Sequence, residues 1–348
     1  MLDAGLLEQF ALASDHAVLK AFESLLVWAV HNKASDIHVE PQAENVRIRL
    51  RLDGLLHEVI TVPLRFSTLL NSKIKMLAHL DIAEKRQAQD GRFEIELNAT
   101  KINGRVSTCP TFLGEKTVIR LLSLSTQCLQ FSELGMTDVQ VKAVEAILAS
   151  PHGLIIVTGP TGSGKTMTLY ALLSALNTEC RNIISIEDPV EMMLPGVNQI
   201  QILEKAGVEF KSILRSLLRQ DPDVLMIGEI RDNETAEIAM KAAQTGHLVL
   251  STLHTESAAQ AVSRLEQLGI PQYLILESTR LLIAQRLVRT ICLFCKGAGC
   301  QQCFEGCRGR TGIFEMILPQ EPRGLTAYVD DLDLKSAAQR KLDAGLIR

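Results

Sequence analysis

The sequence lacks the features that mark membrane-spanning, secreted and nucleic-acid-coating proteins. No uninterrupted apolar run approaches the roughly 20 residues that a transmembrane helix needs, and the N-terminus does not show the basic, apolar and small-residue succession of a signal peptide. A basic surplus is also missing, because the formal net charge is -4. This argues against a protein that mainly coats nucleic acid, although it allows a local basic site. We therefore expect a cytoplasmic protein.

Length and patterning predict two substantial domains. A chain of 348 residues exceeds one average domain, and its 47% hydrophobic and 22% charged residues are typical of chains that fold around a core. Residues 16–31 have apolar positions at helical spacing, whereas residues 45–52 alternate apolar and basic side chains. Similar alternation at 92–97 and 102–106 predicts antiparallel strands. Residues 1–125 are therefore predicted to form an α+β domain.

The pattern changes near residue 140. Four short apolar runs alternate with segments of helical period, as expected for parallel strands that are buried on both faces. This predicts an α/β nucleotide-binding domain over residues 140–318, preceded by a linker at 126–139 without clear periodicity and followed by a helical tail at 319–348. The four runs are residues 154–157, 183–186, 224–227 and 248–250.

The first apolar run leads directly into a glycine-rich segment that precedes a helical one. Its sequence, Gly159-Pro160-Thr161-Gly162-Ser163-Gly164-Lys165-Thr166, has the Gly-x-x-x-x-Gly-Lys-Thr pattern. Glycines let backbone amides turn towards phosphate oxygens, and a helix N-terminus adds partial positive charge. Lys165 would reach the terminal phosphates, and Thr166 would offer its hydroxyl to Mg²⁺. The loop alone predicts binding of ATP or GTP; the alternative is a glycine-rich turn that happens to contain a lysine.

Carboxylates follow two of the other apolar runs. Glu187 and Asp188 end one run, and Glu229 follows another. Ligands bind at the carboxyl ends of parallel strands, so these carboxylates are candidates for holding a metal ion and directing water. The usual metal-holding aspartate inside such a strand is replaced by Ile227-Gly228-Glu229. Each carboxylate, taken alone, could equally be a solvated loop charge.

Several segments together resemble the secretion ATPase superfamily, and within it the type II secretion and type IV pilus assembly ATPases. The resemblance covers about residues 20 to 318. It implies a RecA-like P-loop ATPase domain, preceded by a PAS-like α+β domain. The matching segments are the aspartate box at 187–191, the atypical Walker B region at 218–223 and 227–232, the histidine box at 246–255, the N-terminal segments 34–41 and 89–92, and residues 308–315.

The resemblance implies roles for individual residues. Glu229 would be the base or water-orienting residue, with Glu187 and Asp188 near magnesium and water. His247 and His254 would contribute to the nucleotide pocket or sense its contents, unless they are hydrogen-bonded core histidines. Four arginines would surround ATP, two of them arriving by domain closure, although each could be a surface charge. They are Arg92 and Arg105 in the N-terminal domain, and Arg215 and Arg219 on a predicted helix.

Five of the eight cysteines lie close together in the sequence. Cys292 and Cys295 form one Cys-x-x-Cys pair, and Cys300 and Cys303 form a second. Together they supply enough thiolates for a closed tetrahedral zinc site of the structural type, with no open position for catalysis. The spacing between the pairs is shorter than in the related assembly ATPases. Free reduced thiols, or a site shared with Cys307, are the alternatives.

The resemblance also implies a biological role. The protein would be a homo-hexameric cytoplasmic motor that hydrolyses ATP to assemble a type IV pilus or a type II secretion pseudopilus, for protein secretion or DNA uptake. An inner-membrane platform protein and a cytoplasmic membrane-recruiting protein would be its partners, without direct contact with nucleic acid. The alternatives are a pilus retraction ATPase, a non-hydrolysing ATP-bound scaffold and a nucleic-acid motor. Retraction ATPases generally lack the cysteine pairs, which favours assembly.

Assembly ATPases of this family commonly begin with a further N-terminal domain that docks onto an inner-membrane partner. The present sequence begins almost at the domain that accompanies the nucleotide domain. A short family member, a fragment and a member that is recruited through another surface are the three alternatives.

Overall fold

The computed structural model describes residues 14–122, 130–202, 210–320, 324–331 and 333–348. By its internal contacts the chain divides into two units, residues 1–125 with 301–303, and residues 126–300 with 304–348. Among the described helices, none combines the length and the apolar character that crossing a bilayer requires.

The first unit is built on six antiparallel strands: β1 (Asp36–Pro41), β2 (Asn45–Leu52), β3 (Leu55–Pro63), β4 (Gln89–Leu97), β5 (Thr100–Thr111) and β6 (Gly114–Leu122). Their order in the sheet is β3-β2-β1-β6-β5-β4. The alternation in the sequence is realised in β2, where Ile48 and Leu50 are buried while Arg47 and Arg49 point to the other face. The predicted strands at 92–97 and 102–106 lie within β4 and β5.

Two helices of the first unit pack on this sheet: α1 (Asp15–His31) and, after a 3₁₀ turn at Leu64–Phe66, α2 (Ser67–Leu77). Helix α1 matches the predicted helix, and the Ser14 side chain caps it by accepting a hydrogen bond from the amide of Ala17. The apolar face of α1, which includes Phe22 and Leu25, is fully buried. Helix α1 contacts β5, and α2 contacts β4 and β6, so the core of this unit lies between the helices and the sheet.

The second unit contains an eight-stranded mixed sheet: β7 (Gly153–Thr158), β8 (Ile183–Glu187), β9 (Asn198–Gln201), β10 (Val224–Ile227), β11 (Leu248–Leu253), β12 (Thr279–Ile291), β13 (Cys307–Gln320) and β14 (Gly324–Tyr328). Their order is β14-β13-β12-β7-β11-β10-β8-β9. The six strands from β12 to β9 in this order run parallel to one another. Strand β13 pairs antiparallel with β12, and β14 pairs antiparallel with β13. The four apolar runs of the sequence form β7, β8, β10 and β11, and each of these strands is buried throughout.

Helices cover both faces of the parallel strands: α3 (Phe131–Leu134), α4 (Asp138–Leu148), α5 (Lys165–Leu176), α6 (Phe210–Leu217), α7 (Asn233–Gln244), α8 (Ala258–Gln267), α9 (Gln272–Ser278) and, after a 3₁₀ turn at Val329–Asp331, α10 (Leu334–Asp343). Leu154 and Ile156 of β7 pack with α7 and α8, whereas Ile155 and Val157 pack with α4 and α5. Since both faces are covered, both sets of alternating residues must be apolar.

The structure describes parts of the predicted linker and of the predicted tail. Part of the stretch that was predicted as the linker, 126–139, belongs to the second unit, because Phe131, Leu134 and Met136 are buried in its core; residues 123–129 lie outside the described residues. Helix α3 is too short to show a period in the sequence. The stretch 319–348 contains helix α10 and also strand β14, which pairs with β13 at the edge of the sheet.

Candidate nucleotide site and cysteine cluster

The glycine-rich loop lies at the carboxyl edge of the parallel sheet, between β7 and the N-terminus of α5. Lys165 is the first residue of α5, and its Nζ donates to the carbonyls of Gly159 at 2.8 Å and of Pro160 at 3.1 Å. Thr166 is exposed on the same turn. The structure thus places in one turn all eight predicted nucleotide-binding residues: Gly159, Pro160, Thr161, Gly162, Ser163, Gly164, Lys165 and Thr166.

Two glycines of this loop have structural reasons to be glycine. Gly159 has φ of 150°, and a Cβ there would lie 2.5 Å from the carbonyl oxygen of Gln285 on β12. Gly164, with φ of 89°, is the left-handed residue from which α5 starts. Between them, Ser163 is buried, and its hydroxyl has no hydrogen-bond partner among the described residues. An orphaned buried hydroxyl and a tight glycine turn fit a loop that closes on phosphate oxygens.

Glu229 lies directly beyond β10 at the same edge of the sheet. Its position is set by the backbone on both sides, because Gly228 donates to the carbonyl of Ile186 at 2.9 Å and Ile230 donates to that of Thr252 at 3.0 Å. The Thr252 hydroxyl also donates to the Gly228 carbonyl at 2.7 Å. Glu229 is therefore carried by a segment bound to its two neighbouring strands, β8 and β11.

The Glu229 carboxylate contacts two basic side chains. One oxygen forms an ion pair with Arg231, and the other lies 3.3 Å from Nε2 of His254. Burial acts to raise the pKa of Glu229, but the hydrogen bond and charge of Arg231, helped by His254, outweigh it and hold the pKa below its usual value. Glu229 is therefore ionised at neutral pH, as a base or water-orienting residue must be.

Lys165 and Glu229 act on each other electrostatically. Burial lowers the pKa of Lys165, the charge of Glu229 raises it, and the charge of Arg286 lowers it further. The structure therefore brings the lysine of the loop and the carboxylate that follows β10 to one site.

The remaining predicted carboxylates behave differently from Glu229. Glu187 is buried, and its carboxylate accepts hydrogen bonds from the side chains of Tyr170 at 2.5 Å, Ser185 at 2.6 Å and Gln199 at 3.1 Å. Asp188 is exposed and lies 4.0 Å from Arg231. Glu187 thus ties α5 to β8 and β9, and the role of both carboxylates at magnesium stays a prediction.

The two predicted histidines lie at opposite edges of the sheet. His254 follows the carboxyl end of β11, near Glu229, and the adjacent Thr255 amide donates to the Thr158 hydroxyl at 2.8 Å. His247 precedes the amino end of β11, and its ring Nδ1 lies 3.1 Å from the Ala242 carbonyl. The strand between them has six residues, which separates them by about 20 Å. Within its own chain His247 is therefore remote from the phosphate loop, and its role at the nucleotide stays a prediction.

The four predicted arginines are divided between the two units, two in each. Arg215 pairs with Glu234, and Arg219 donates to the Arg215 carbonyl at 3.2 Å on its own helical segment. In the first unit, Arg92 lies opposite Arg105 in the register of β4 and β5. The function of these arginines at ATP stays a prediction from the resemblance.

Two further residues at the loop carry no recognisable pattern in the sequence. The Gln285 side chain accepts a hydrogen bond from Thr168 on α5 at 2.6 Å, and its backbone carbonyl approaches Gly159. Arg286, the next residue, influences the pKa of Lys165. Both lie on β12, which is far from the loop in the sequence, so only the pairing of β12 with β7 could have identified them.

The four cysteines of the two Cys-x-x-Cys pairs come together. The sulfur atoms of Cys292, Cys295, Cys300 and Cys303 all lie within 4.8 Å of one another, and Cys307 is outside this group. Cys292 Sγ and Cys300 Sγ are 3.9 Å apart, close to the separation of about 3.8 Å that a tetrahedron with Zn–S bonds of about 2.3 Å requires. The Gly299 amide donates to Cys295 Sγ at 3.2 Å, as expected for a thiolate ligand. The donor set fits a closed structural zinc site.

Comparison with known families agrees with the predicted resemblance. Residues 11–345 match the model of the family described as Type II/IV secretion system protein. The chain is 46% identical to the Escherichia coli protein transport protein HofB homolog, over 91% of this chain and 74% of that protein. It is 44% identical to type II secretion system protein E of Klebsiella pneumoniae, over 87% of this chain and 66% of that protein.

Other relatives extend this result. The type IV pilus assembly ATPase PilB of Pseudomonas aeruginosa is 43% identical over 88% of this chain, which spans only 59% of that protein. Among solved structures, the pilus retraction motor PilT with bound ADP has a TM-score of 0.60 and 27% identity, covering 92% of this chain and 87% of that one. The Legionella pneumophila ATPase DotB has a TM-score of 0.72 at 22% identity, covering 96% and 92%, and supports the fold alone.

The comparisons confirm the predicted family and the α/β fold, and relatives named as ATPases support an ATP-hydrolysing enzyme. The likeness of the first unit to PAS domains stays a prediction. With its phosphate loop and Glu229 at one edge of the sheet, and with a family match that covers nearly its whole length, the chain belongs to the Type II/IV secretion system protein family.

Proposed function

We propose that this protein is a motor ATPase that acts as a homo-hexamer in the cytoplasm and drives assembly of a type IV pilus or a type II secretion pseudopilus. The names of its relatives, type II secretion system protein E and type IV pilus assembly ATPase PilB, support this role. The observation that carries the proposal is that Lys165, at the N-terminus of α5, and Glu229, directly beyond β10, both lie at the carboxyl edge of the parallel sheet.

The chemistry follows from where these side chains lie. Lys165 leaves the carbonyls of Gly159 and Pro160 to bind the terminal phosphates, and the loop amides and the α5 N-terminus hold the phosphate chain. Mg²⁺, held by the Thr166 hydroxyl, would neutralise phosphate charge. Glu229 orients the attacking water and accepts its proton, while His254 and Arg231 hold the carboxylate in place.

Hydrolysis tests this proposal directly. Purified wild-type protein should hydrolyse ATP in the presence of Mg²⁺, and Glu229→Gln should still bind ATP but turn it over at least about a hundredfold more slowly, the loss expected for a general base. Glu237→Gln, on the exposed side of α7, is the matched control and should retain full turnover. Turnover by Glu229→Gln at the wild-type rate would remove Glu229 from its role. Absence of wild-type hydrolysis would favour the ATP-bound scaffold.

We place structural zinc at the four cysteines, since four thiolates leave no open coordination position. The partners that we propose are an inner-membrane platform protein and a cytoplasmic protein that recruits the ATPase to that membrane. Sedimentation of the protein with a non-hydrolysable ATP analogue tests the hexamer, because a monomer under these conditions would contradict it.

Pilus retraction is the second candidate, because PilT has a similar structure. Deletion of the gene separates the two roles. Loss of an assembly motor should remove pili, secretion or DNA uptake, whereas loss of a retraction motor should leave pili that no longer retract. The cysteine cluster supports assembly, and native protein without zinc would weaken that preference.

A further inference from the structure

Strand β12 continues past the end of its neighbour β7 and runs alongside the phosphate loop. Ala284 pairs with Thr158, the last residue of β7, so the next residues of β12 lie beside the loop itself. The Gln285 carbonyl is 2.5 Å from the position that a Cβ at Gly159 would occupy. The backbone of β12 therefore forms one wall of the loop at this point.

Arg286 follows Gln285 and is held by two backbone carbonyls. Its Nη1 donates to the Gln285 carbonyl at 3.0 Å, and its Nη2 donates to the Glu256 carbonyl at 2.8 Å. Glu256 lies in the loop after β11 that also carries His254, so the guanidinium joins β12 to that loop. A guanidinium has five N–H donors, and these two bonds use only two of them.

The partners of Arg286 distinguish it from neighbouring arginines. Arg289, three residues further along β12, pairs with Glu305 at 3.1 Å, and Arg340 pairs with Asp330 at 2.7 Å. Among the residues that the structure describes, Arg286 has no carboxylate partner, although it is only partly exposed. A half-buried cation whose charge is not balanced by an anion favours binding of one.

A second cation lies close to Arg286. Lys165 is half-buried at the same loop, and the positive charge of Arg286 makes its protonated form less stable. Contacts at Gly159 bring the two cations together: Lys165 Nζ donates to the Gly159 carbonyl, and Arg286 donates to the Gln285 carbonyl, which lies 2.5 Å from the Cβ position of Gly159. The fold thus holds two cations near each other at a loop shaped for phosphate. An anionic ligand between them would relieve this repulsion.

We propose that Arg286 is a further nucleotide-binding cation, which the Gln285 and Glu256 carbonyls aim at the phosphates of the nucleotide held by the loop of the same chain. This inference rests on the proposed function, since it concerns the same site. It adds a cation from within the ATPase unit that does not depend on domain closure or on a neighbouring subunit.

Three substitutions separate charge from hydrogen bonding. Arg286→Ala removes both, Arg286→Gln keeps N–H donors for the carbonyls without charge, and Arg286→Lys keeps the charge without the planar fork. Binding of MgADP, measured by titration calorimetry on the full chain, avoids interference from hydrolysis. Arg289→Gln is the matched control, because it removes a cation from the same strand away from the loop.

If Arg286 binds phosphate, the Ala and Gln variants should bind MgADP at least about tenfold more weakly, the loss expected for a charged hydrogen bond. The Lys variant should stay within about threefold of wild type, and Arg289→Gln within about twofold, as charge retention and a remote site imply. Wild-type affinity in the Gln variant would overturn the proposal, because Arg286 would then only tie β12 to the loop after β11. Equal losses in the Lys and Gln variants would also overturn it, since charge would not decide binding.

The outcome for Arg286 is separable from that of the proposed function. If wild-type protein hydrolyses ATP and Glu229→Gln does not, while all Arg286 variants bind MgADP normally, only the assignment of Arg286 fails. If wild-type protein binds no MgADP, both fail.

Discussion

Replacement of Tyr170 by phenylalanine tests how the phosphate-loop helix is joined to the rest of the site. Tyr170 is fully buried on α5, and its hydroxyl donates to Glu187 at 2.5 Å and accepts from the Glu191 amide at 3.1 Å. Burial first, and then Glu187, raise the pKa of Tyr170 well above its usual value, so the hydroxyl stays protonated and a donor at every physiological pH. Tyr170→Phe removes this single atom and leaves the ring in place.

The expected loss follows from the groups left without a partner. A hydrogen bond to a charged group contributes about 1.5–3 kcal/mol to the free energy of unfolding. A buried carboxylate that loses one donor is also no longer fully compensated for its removal from water. For a domain of the size of the second unit, each kcal/mol shifts the melting temperature by about 2–4 °C. Tyr170→Phe should therefore lower the melting temperature of the second unit by about 3–12 °C.

Differential scanning calorimetry measures this shift, with Tyr273→Phe as the matched control, because Tyr273 is 70% exposed. A double-mutant cycle with Glu187→Gln should give a coupling of at least about 1 kcal/mol, since the two side chains are in contact. Two results would contradict this account of how the network joins α5 to β8. One is a melting temperature of Tyr170→Phe equal to that of Tyr273→Phe, and the other is additive losses of stability in Tyr170→Phe and Glu187→Gln.

Three further predictions concern the loop, the cysteine cluster and the first unit. Gly159→Ala should weaken MgADP binding at least about tenfold, because its Cβ would meet the Gln285 carbonyl at 2.5 Å; titration calorimetry checks this. Cys300→Ser should lower both the zinc content, measured by atomic absorption, and the melting temperature, because a closed site loses one of four ligands. Burial would raise the pKa of Glu40, but Arg49 and Lys116 lower it to about 2. The stability that this depressed pKa contributes, about 3 kcal/mol by linkage, is present above pH 4.5 and lost as the pH falls towards 2. Amide hydrogen exchange of β1 and β2 measures this stability, and in Glu40→Gln the loss of protection at low pH should disappear.

Each of these predictions has a contrasting variant or result. Gly246 also has a positive φ but lies away from the loop with open space around it, so Gly246→Ala should bind MgADP normally. Cys180 is free and exposed, and Cys180→Ser should keep its zinc. An unchanged acid dependence in Glu40→Gln would show that other carboxylates set the stability of the first unit.

Local patterns were sufficient for seven of the fourteen described strands and for the phosphate loop. A strand that is buried on both faces must be apolar at every position, and a half-buried strand must alternate, so β7 and β2 could be predicted from the sequence. The short helix at Phe131 could not, because four residues do not establish a period. Its burial depends on the helix and strand that it packs against.

The histidine box, residues 246–255, also shows that a sequence pattern does not determine which residues lie close together in the fold. Its residues were identified from the sequence, but the segment contains a whole strand, and a strand carries its two ends to opposite edges of a sheet. His254 therefore reaches Glu229, whereas His247 is bonded to the Ala242 carbonyl at the far edge.

By itself, the sequence determined the family, the phosphate loop, the catalytic candidate Glu229 and the four-cysteine set, because each depends on residue types at fixed local spacing. Only the tertiary structure decided which side chains share the site. Glu187 proved to be bound by three buried or partly buried side chains, and Arg286 was brought to the loop by the pairing of β12 with β7. The physical reason is that strand pairing joins residues far apart in the chain, and no local pattern of charge or hydrophobicity records that contact.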